Sequence, residues 1–325
     1  MNTENIMAEK PSKILKPRPV PRPGRVISAI IVALIVIAII YSLFTNPNFQ
    51  WDVVQKYLFH PLILTGVKYT ILLTIGAMIL GIIIALTMAI MRQSLNPIMN
   101  KVAWFYIWFF RGTPIYTQLV FWGLISVLYP RITLGIPFGP EFFTINTADL
   151  ITAGVAAVLG LGLNEGAYLS EIFRAGLNSV DEGQWEAGRV LGMSQGLILR
   201  RIIIPQAMRV IIPPIGNETI SMLKTTSLVL AVPFSYDLTF EASNIGNRIF
   251  SPIPLLIVAG IWYILITSIL MVGQHYLEQY FGKGFNKDDK NSKKKKLSKK
   301  QIEIIQNTKL RQYYENKYKK EGELK

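Results

Sequence analysis

The chain has 325 residues, a formal net charge of +14, 51% hydrophobic residues, 17% charged residues and a mean hydropathy of +0.35. Because soluble chains average about 25% charged residues, this composition excludes an ordinary soluble protein and predicts a polytopic membrane protein. The chain has no cysteine and only two histidines, which excludes a disulfide framework, a cysteine nucleophile and a histidine-rich zinc site.

The first apolar run is uncharged and extends over 19 residues, from Val26 to Phe44. This is close to the roughly 20 residues that a helix needs to cross a bilayer. Residues 1–25 contain six Lys and Arg and five prolines, and no small-residue cleavage site follows the apolar run. We therefore predict a basic, Pro-rich cytoplasmic tail over 1–25 and an uncleaved transmembrane helix over 26–46.

Five further spans are predicted in an all-α bundle, which gives six in total: Tyr69–Met91, Ile115–Tyr129, Leu150–Ser170, Ile211–Val232 and Leu255–Val272. The third is short, and the aromatic stretch Val102–Phe110 before it is typical of an interfacial helix. An aromatic belt at the membrane surface is the favoured interpretation of that stretch, ahead of a ligand cage.

The fifth span is polar for a lipid-facing helix. Asn217, Ser221 and Lys224 are spaced i, i+4 and i+7, so they share one helix face. A polar stripe of this kind suits a bundle interior that lines a wet path, although packing between helices is an equal alternative.

The distribution of basic residues supports six spans. With the N-terminus in the cytoplasm, only four Lys and Arg lie in the outer segments: Lys56, Lys68, Arg131 and Arg248. Residues 282–325 hold 15 Lys and Arg against 6 acids, and omission of the fifth span would place this tail outside. We predict that the tail is cytoplasmic, solvated and disordered, with weak attraction to anionic membrane lipids and no nucleic-acid role.

The longest inner loop contains two short helices that meet at a glycine. Residues 184–190 form the first helix, and Gly188 and Gly192 are one turn apart, which predicts a small-residue face for close backbone approach. Gly192 is expected to end this helix, Ser194 to cap the next one, and Pro205 to end that second helix.

This loop resembles the EAA loop of membrane-spanning permease subunits of ATP-binding-cassette importers, in the polar amino acid branch. The matching residues are Glu186, Ala187, Gly188, Gly192, Ile204 and Pro205, with Gly188 in place of the usual second alanine. Four other stretches resemble the same branch: Arg111–Pro114, Ala167–Arg174, Pro205–Arg209 and Lys224–Leu228.

The resemblance covers roughly residues 65–281, with the loop at 171–209. It implies a five-helix permease core, to which this chain adds the first span, in a plasma-membrane protein with both termini cytoplasmic. Glu186, Ala187, Gly188 and Gly192 are then the residues that couple the permease to a separate ATPase subunit. A second permease copy or a sister permease, an extracytoplasmic substrate-binding protein and an amino acid substrate are the other implied partners.

The chain itself has no GxxxxGK[ST] phosphate-binding motif, so we expect it not to be an enzyme. ATP and Mg²⁺ are expected on the partner ATPase, and no cofactor or metal on this chain. A secondary transporter of a polar solute, driven by an ion gradient, is the alternative; a membrane hydrolase has little support because no Ser-His or Asp-Asp pair stands out.

Glu165 lies inside the fourth span and has three interpretations. An intramembrane carboxylate is by default a functional candidate, here a contact for substrate along a path shared with Asn217, Ser221 and Lys224. It could instead cap a broken helix or form an ion pair with Lys224. Sequence alone leaves these three open.

Overall fold

The computed structural model describes residues 23–136, 140–281 and 307–312, so most of both predicted basic tails lies outside the described residues. The chain divides into two compact units, Met1–Val53 and Val54–Lys325. Three described helices are long and apolar enough to cross a membrane: Ile27–Thr45, Pro61–Arg92 and Pro252–Phe281. These correspond to the first, second and last predicted spans, while the total of six spans stays a prediction consistent with the fold.

In the first unit, helix α1 (Pro23–Thr45) is followed by a short 3₁₀ helix (Pro47–Phe49). Asn46 caps that 3₁₀ helix, since its side chain accepts a hydrogen bond from the Asn48 amide at 3.0 Å. The Trp51 indole donates to the Leu43 carbonyl at 2.8 Å and stacks with neighbouring Phe rings. The end of α1 is therefore fixed by an aromatic cluster.

Helix α2 (Trp51–Tyr57) leads to the long helix α3 (Pro61–Arg92), which packs along α8 (Ala153–Asn178). The buried face of α3 repeats a small residue every four positions: Ala77, Gly81, Ala85 and Ala89. Such spacing lets two membrane helices approach closely. On α8, a Cβ at Gly162 would lie 2.7 Å from the Leu80 side chain, so this approach needs glycine.

Between α3 and α8 the chain forms α4 (Pro97–Gly112), α5 (Ile115–Gly123), α6 (Ile125–Leu128), a hairpin and the single turn α7 (Thr147–Leu150). The hairpin pairs β1 (Arg131–Gly135) antiparallel with β2 (Glu141–Asn146). The predicted third span is thus not one helix, because α5 ends at Gly123 and α6 adds only four residues. The aromatic stretch Val102–Phe110 is helical, as part of α4, and its interfacial position stays a prediction.

Beyond α8, the inner loop contains α9 (Glu182–Val190), α10 (Gln195–Ile198) and a π-helical turn (Leu199–Ile203). Helix α11 (Ile204–Thr225) follows directly, and a 3₁₀ helix (Thr226–Ala231) ends this segment. The expectation that Pro205 ends a helix was wrong. Pro205 lies in the first turn of α11, where its missing N–H is not needed.

The last elements are α12 (Leu238–Arg248) and α13 (Pro252–Phe281). Asp237 caps α12 by accepting hydrogen bonds from the amides of Thr239 at 2.9 Å and Phe240 at 3.4 Å. The amide of Leu238, the residue directly after Asp237, donates a hydrogen bond to the Thr70 hydroxyl of α3 at 3.1 Å. A Cβ at Gly66 would lie 2.7 Å from the Leu238 Cα, so α12 is packed backbone to backbone against the start of α3.

Candidate functional site

The first part of the candidate site is the inner loop, whose helix α9 is closed by local hydrogen bonds at both ends. At its start, Asp181 accepts from the Gly183 amide at 2.8 Å. At its end, the Gly192 amide donates to Arg189 at 2.9 Å and the Met193 amide donates to Gly188 at 3.0 Å. This pair of bonds is a Schellman motif, and the φ of +70° at Gly192 is the left-handed conformation that the motif requires. The prediction that Gly192 ends the helix is confirmed.

The two glycines of the loop have different roles. A Cβ at Gly188 would lie 2.7 Å from Cγ1 of Ile198, so the absent side chain makes room for Ile198 of α10 to pack against α9. At Gly192 nothing lies within 4 Å of the Cβ position. Within the described chain no residue approaches Gly192, where backbone conformation is the constraint, so close approach of another backbone at Gly192 stays a prediction.

Ser194 occupies the N-cap position of α10, but its side chain makes no capping hydrogen bond. Glu186 and Ala187 are both exposed on α9. At the tip, Val190 is 86% exposed and Leu191 is 76% exposed. Two solvent-exposed aliphatic side chains next to exposed polar side chains make this tip suitable for contact with another protein.

The second part of the site is the polar interior of the bundle, where Glu165 of α8 is only 6% exposed. Its stem packs against Gly81 of α3, where a Cβ would lie 3.2 Å from the Glu165 Cγ. Among the described residues, no group donates a hydrogen bond to its Oε1 atom. The Glu218 carboxylate of α11 is close enough to repel it electrostatically. Glu165 on α8 and Glu218 on α11 are thus close enough to influence each other's charge.

Asn164, the residue before Glu165, belongs to a hydrogen-bond network of side-chain amides. Asn164 donates to the Phe110 carbonyl at 2.9 Å and to Gln118 Oε1 at 3.3 Å. Gln118 in turn donates to the Thr113 hydroxyl at 2.7 Å, across the break between α4 and α5. Sequence analysis missed Gln118, Asn164 and Glu218 as site residues. Polar side chains within otherwise apolar stretches were the signal for Gln118 and Asn164.

The structure brings the polar stripe of α11 together but separates it from Glu165. Asn217, Ser221 and Lys224 line a groove of about 420 Å³ against α13, opposite polar groups that include Glu278. Asn217 donates to Glu278 at 3.5 Å. Within the described residues, Glu165 forms no ion pair with Lys224, which is exposed. In a single chain these four residues therefore form two separate polar regions.

Comparison of the chain with known proteins identifies its family. Residues 77–283 match the family model of the binding-protein-dependent transport system inner membrane component. The chain is 50% identical over 273 residues to the arginine transport system permease protein ArgU of Corynebacterium glutamicum, covering 84% of both chains. It is 37% identical to the L-cystine transport system permease protein TcyB of Bacillus subtilis, over 70% of this chain and 90% of that protein.

Among solved structures, the chain is similar to a crystal structure of an amino acid ABC transporter with histidines. The two share 34% identity and a TM-score of 0.55, over 68% of this chain and 94% of the other. The predicted family and all-α membrane fold are confirmed. The chain belongs to the inner membrane components of binding-protein-dependent transport systems, and it is a multi-pass permease subunit of an amino acid ABC importer.

Proposed function

We propose that this chain, paired with a second copy or a sister permease, forms the import path for a cationic amino acid, with arginine as the first candidate. The observation that supports this most is the pair Glu165 and Glu218 inside the bundle. Neither carboxylate has a salt-bridge partner among the described residues. The 50% identical relative is named for arginine transport, which agrees with a path built for positive charge.

The physical reason is the cost of desolvation. A guanidinium or ammonium group that leaves water loses several kcal/mol unless an opposite charge or oriented dipoles receive it. Glu165 offers a buried oxygen without a hydrogen-bond donor, and Glu218 adds a second negative charge nearby. A cationic side chain would supply the counter-charge that neither acid has among the described residues.

The test is uptake of labelled arginine by the full transporter in proteoliposomes loaded with ATP. We expect Glu165→Gln to lower the uptake efficiency by about tenfold or more, since a charged hydrogen bond contributes about 1.5 to 3 kcal/mol. Basal ATP hydrolysis and assembly should be unchanged, because no cation in the described structure depends on Glu165 for pairing. Glu141→Gln, on the exposed hairpin, is the matched control. Normal arginine uptake in Glu165→Gln would contradict the proposal.

For coupling, we propose that the α9–α10 loop docks on a separate ATPase subunit, which binds ATP and Mg²⁺. Glu186, Ala187 and the exposed tip would meet the partner, while Gly188 and Gly192 would keep the loop compact. Leu191→Asp should remove the ATPase from the purified complex. Leu134→Asp, an equally drastic change of an exposed leucine on the hairpin, should leave it bound. Full retention of the ATPase in Leu191→Asp would contradict this docking mode.

We further propose that both termini are cytoplasmic and that a binding protein delivers substrate to the outer face. The chain has no cysteine, so single-cysteine variants report position without background. In intact cells, an impermeant thiol reagent should label Arg131→Cys and leave Val190→Cys unlabelled. Labelling of Val190→Cys from outside would overturn the orientation.

A further inference from the structure

A second polar groove lies between the inner end of α3, helix α4 and the inner half of α8. We name it the arginine groove, and it has a volume of about 540 Å³. Its main lining residues are Arg92, Trp104, Trp108, Arg111, Tyr168 and Glu171. It shares no lining residue with the groove beside α13, with Glu165 or with the α9–α10 loop.

The groove carries unneutralised positive charge. Its one acid, Glu171, is engaged by Arg174, whose guanidinium nitrogens lie 2.6 Å and 2.9 Å from the same carboxylate oxygen. Arg92 donates to the neutral side chain of Asn100 at 2.5 Å. Arg111 lies over the Tyr168 ring, 5.1 Å from its centroid, and forms no ion pair within the described residues. Two arginines therefore face the groove without a counter-charge.

The depth of the groove matches the inner surface of the bilayer. Glu171 is 18 residues beyond Ala153, the first residue of α8, which corresponds to a rise of about 27 Å. The hydrocarbon core is about 30 Å thick, so the groove opens close to the inner headgroup level. This placement follows the orientation in which the α9–α10 loop is cytoplasmic.

The aromatic wall of the groove suits the same depth. Trp104 and Trp108 stack with ring centroids 6.1 Å apart, and they are 52% and 56% exposed. Tryptophan and tyrosine concentrate at this level of a membrane because their rings have an apolar body and a polar edge. The wall can thus contact glycerol and the first acyl carbons of a lipid while the arginines contact its phosphate.

We propose that the arginine groove binds the phosphate headgroup of an anionic phospholipid of the inner leaflet. Arginine forks match phosphate oxygens in pairs, and basic pockets between membrane helices on the cytoplasmic side are suited to such headgroups. A bound headgroup would bridge Arg92 of α3 and Arg111 of α4, beside Tyr168 of α8. The lipid would then hold the inner half of α4 against the long pair α3 and α8.

Native mass spectrometry of the full transporter, titrated with phosphatidylglycerol or phosphatidylcholine in detergent, tests this directly. We expect Arg111→Gln and Arg92→Gln each to weaken phosphatidylglycerol binding about fivefold, as expected for one basic residue near a membrane surface. Phosphatidylcholine binding should not change. Lys101→Gln is the matched control, because Lys101 is an exposed cation on the same helix outside the groove.

Unchanged phosphatidylglycerol binding in both arginine variants would overturn the proposal. A second measurement needs no variant: the wild-type transporter should keep its phosphatidylglycerol in millimolar inorganic phosphate or amino acid. Displacement by either solute would identify a site for a soluble ligand, and the lipid assignment would be wrong. Because the readout is lipid bound to the assembled complex, it is independent of which amino acid is imported.

Discussion

Helices α9 and α12 begin with the same device and have opposite surroundings. Each has an aspartate N-cap that accepts backbone hydrogen bonds, Asp181 for α9 and Asp237 for α12. Asp181 is exposed, whereas Asp237 is fully buried and Leu238 beside it is 0% exposed. The α9 cap lies in the inner loop and the α12 cap lies beside the first turns of α3. The comparison shows that a local sequence signal specifies where a helix begins. Packing around the N-cap then decides how much stability is lost when the cap is removed and which groups the cap can contact.

The largest effect is expected where α12 meets α3. Gly66→Leu places a side chain 2.7 Å from the Leu238 Cα, and backbone atoms cannot rotate away. We expect a loss of about 3 kcal/mol in the free energy of unfolding, at the upper end of overpacking effects. Thermal unfolding of the purified transporter measures this. Gly260→Leu is the control, since nothing lies within 4 Å of its Cβ position; an equal loss in both variants would show that α12 packing is not the cause.

The buried cap should also make stability depend on pH. Burial raises the pKa of Asp237 from 3.8 to about 6, against the opposing effect of the Thr239 and Phe240 amides. Because the folded state holds the proton more tightly, this contribution to stability is complete below pH 3.8 and is lost as the pH rises to about 6. Over the whole range the loss is on the order of 3 kcal/mol.

Asp237→Asn removes the titrating group and keeps the hydrogen-bond acceptor. The melting temperature of this variant should therefore fall less between pH 4 and pH 6 than that of the wild type. Parallel melting profiles for the two proteins over that range would contradict the assignment.

Removal of each cap compares the two helices directly. Replacement of an aspartate N-cap by alanine costs about 0.5 to 2 kcal/mol. We expect Asp237→Ala to lie near 2 kcal/mol, because it leaves buried amides without an acceptor, and Asp181→Ala to lie near 0.5 kcal/mol, because water replaces the acceptor. Urea or thermal unfolding of the two variants gives the ratio. Equal losses would mean that burial does not distinguish the caps.

A smaller effect than at the buried cap is expected at the exposed C-terminal end of α9. Gly192→Ala should cost about 1 kcal/mol, because a φ of +70° is unfavourable for a residue with a Cβ. Gly192→Asn should cost less, since asparagine tolerates this conformation. Hydrogen exchange of the Met193 amide reports the local opening. A larger cost for asparagine than for alanine would indicate a steric contact, in conflict with the open space around Gly192.

Much of the fold was accessible from the sequence because its signals are local. Uncharged runs predicted α1, α3 and α13, and Gly192 predicted the end of α9. The break between α5 and α6 was missed, since the apolar run through Gly123 and Leu124 continues without a charge or proline. Pro205 was misassigned because proline is compatible with both the end of one helix and the first turn of the next.

The polar interior was less predictable because its partners are distant in sequence. Asn164 contacts Phe110 and Gln118, which lie 54 and 46 residues away. The stripe of Asn217, Ser221 and Lys224 was predicted correctly as one face, since that follows from helix geometry alone. Its neighbour across the groove, Glu278, belongs to α13 and could not be inferred from spacing.

The π-helical turn at Leu199–Ile203 determines how α11, which follows it directly, is rotated about its axis relative to α10. An α-helix advances about 100° per residue, and a π turn accommodates one residue more than an α turn. Deletion of a single residue from this turn, such as Arg201, would rotate α11 by about 100° relative to α10 and turn its polar stripe away from α13. The inner loop and the membrane path are thus kept in register by the length of one turn, so this segment should tolerate substitutions far better than insertions or deletions.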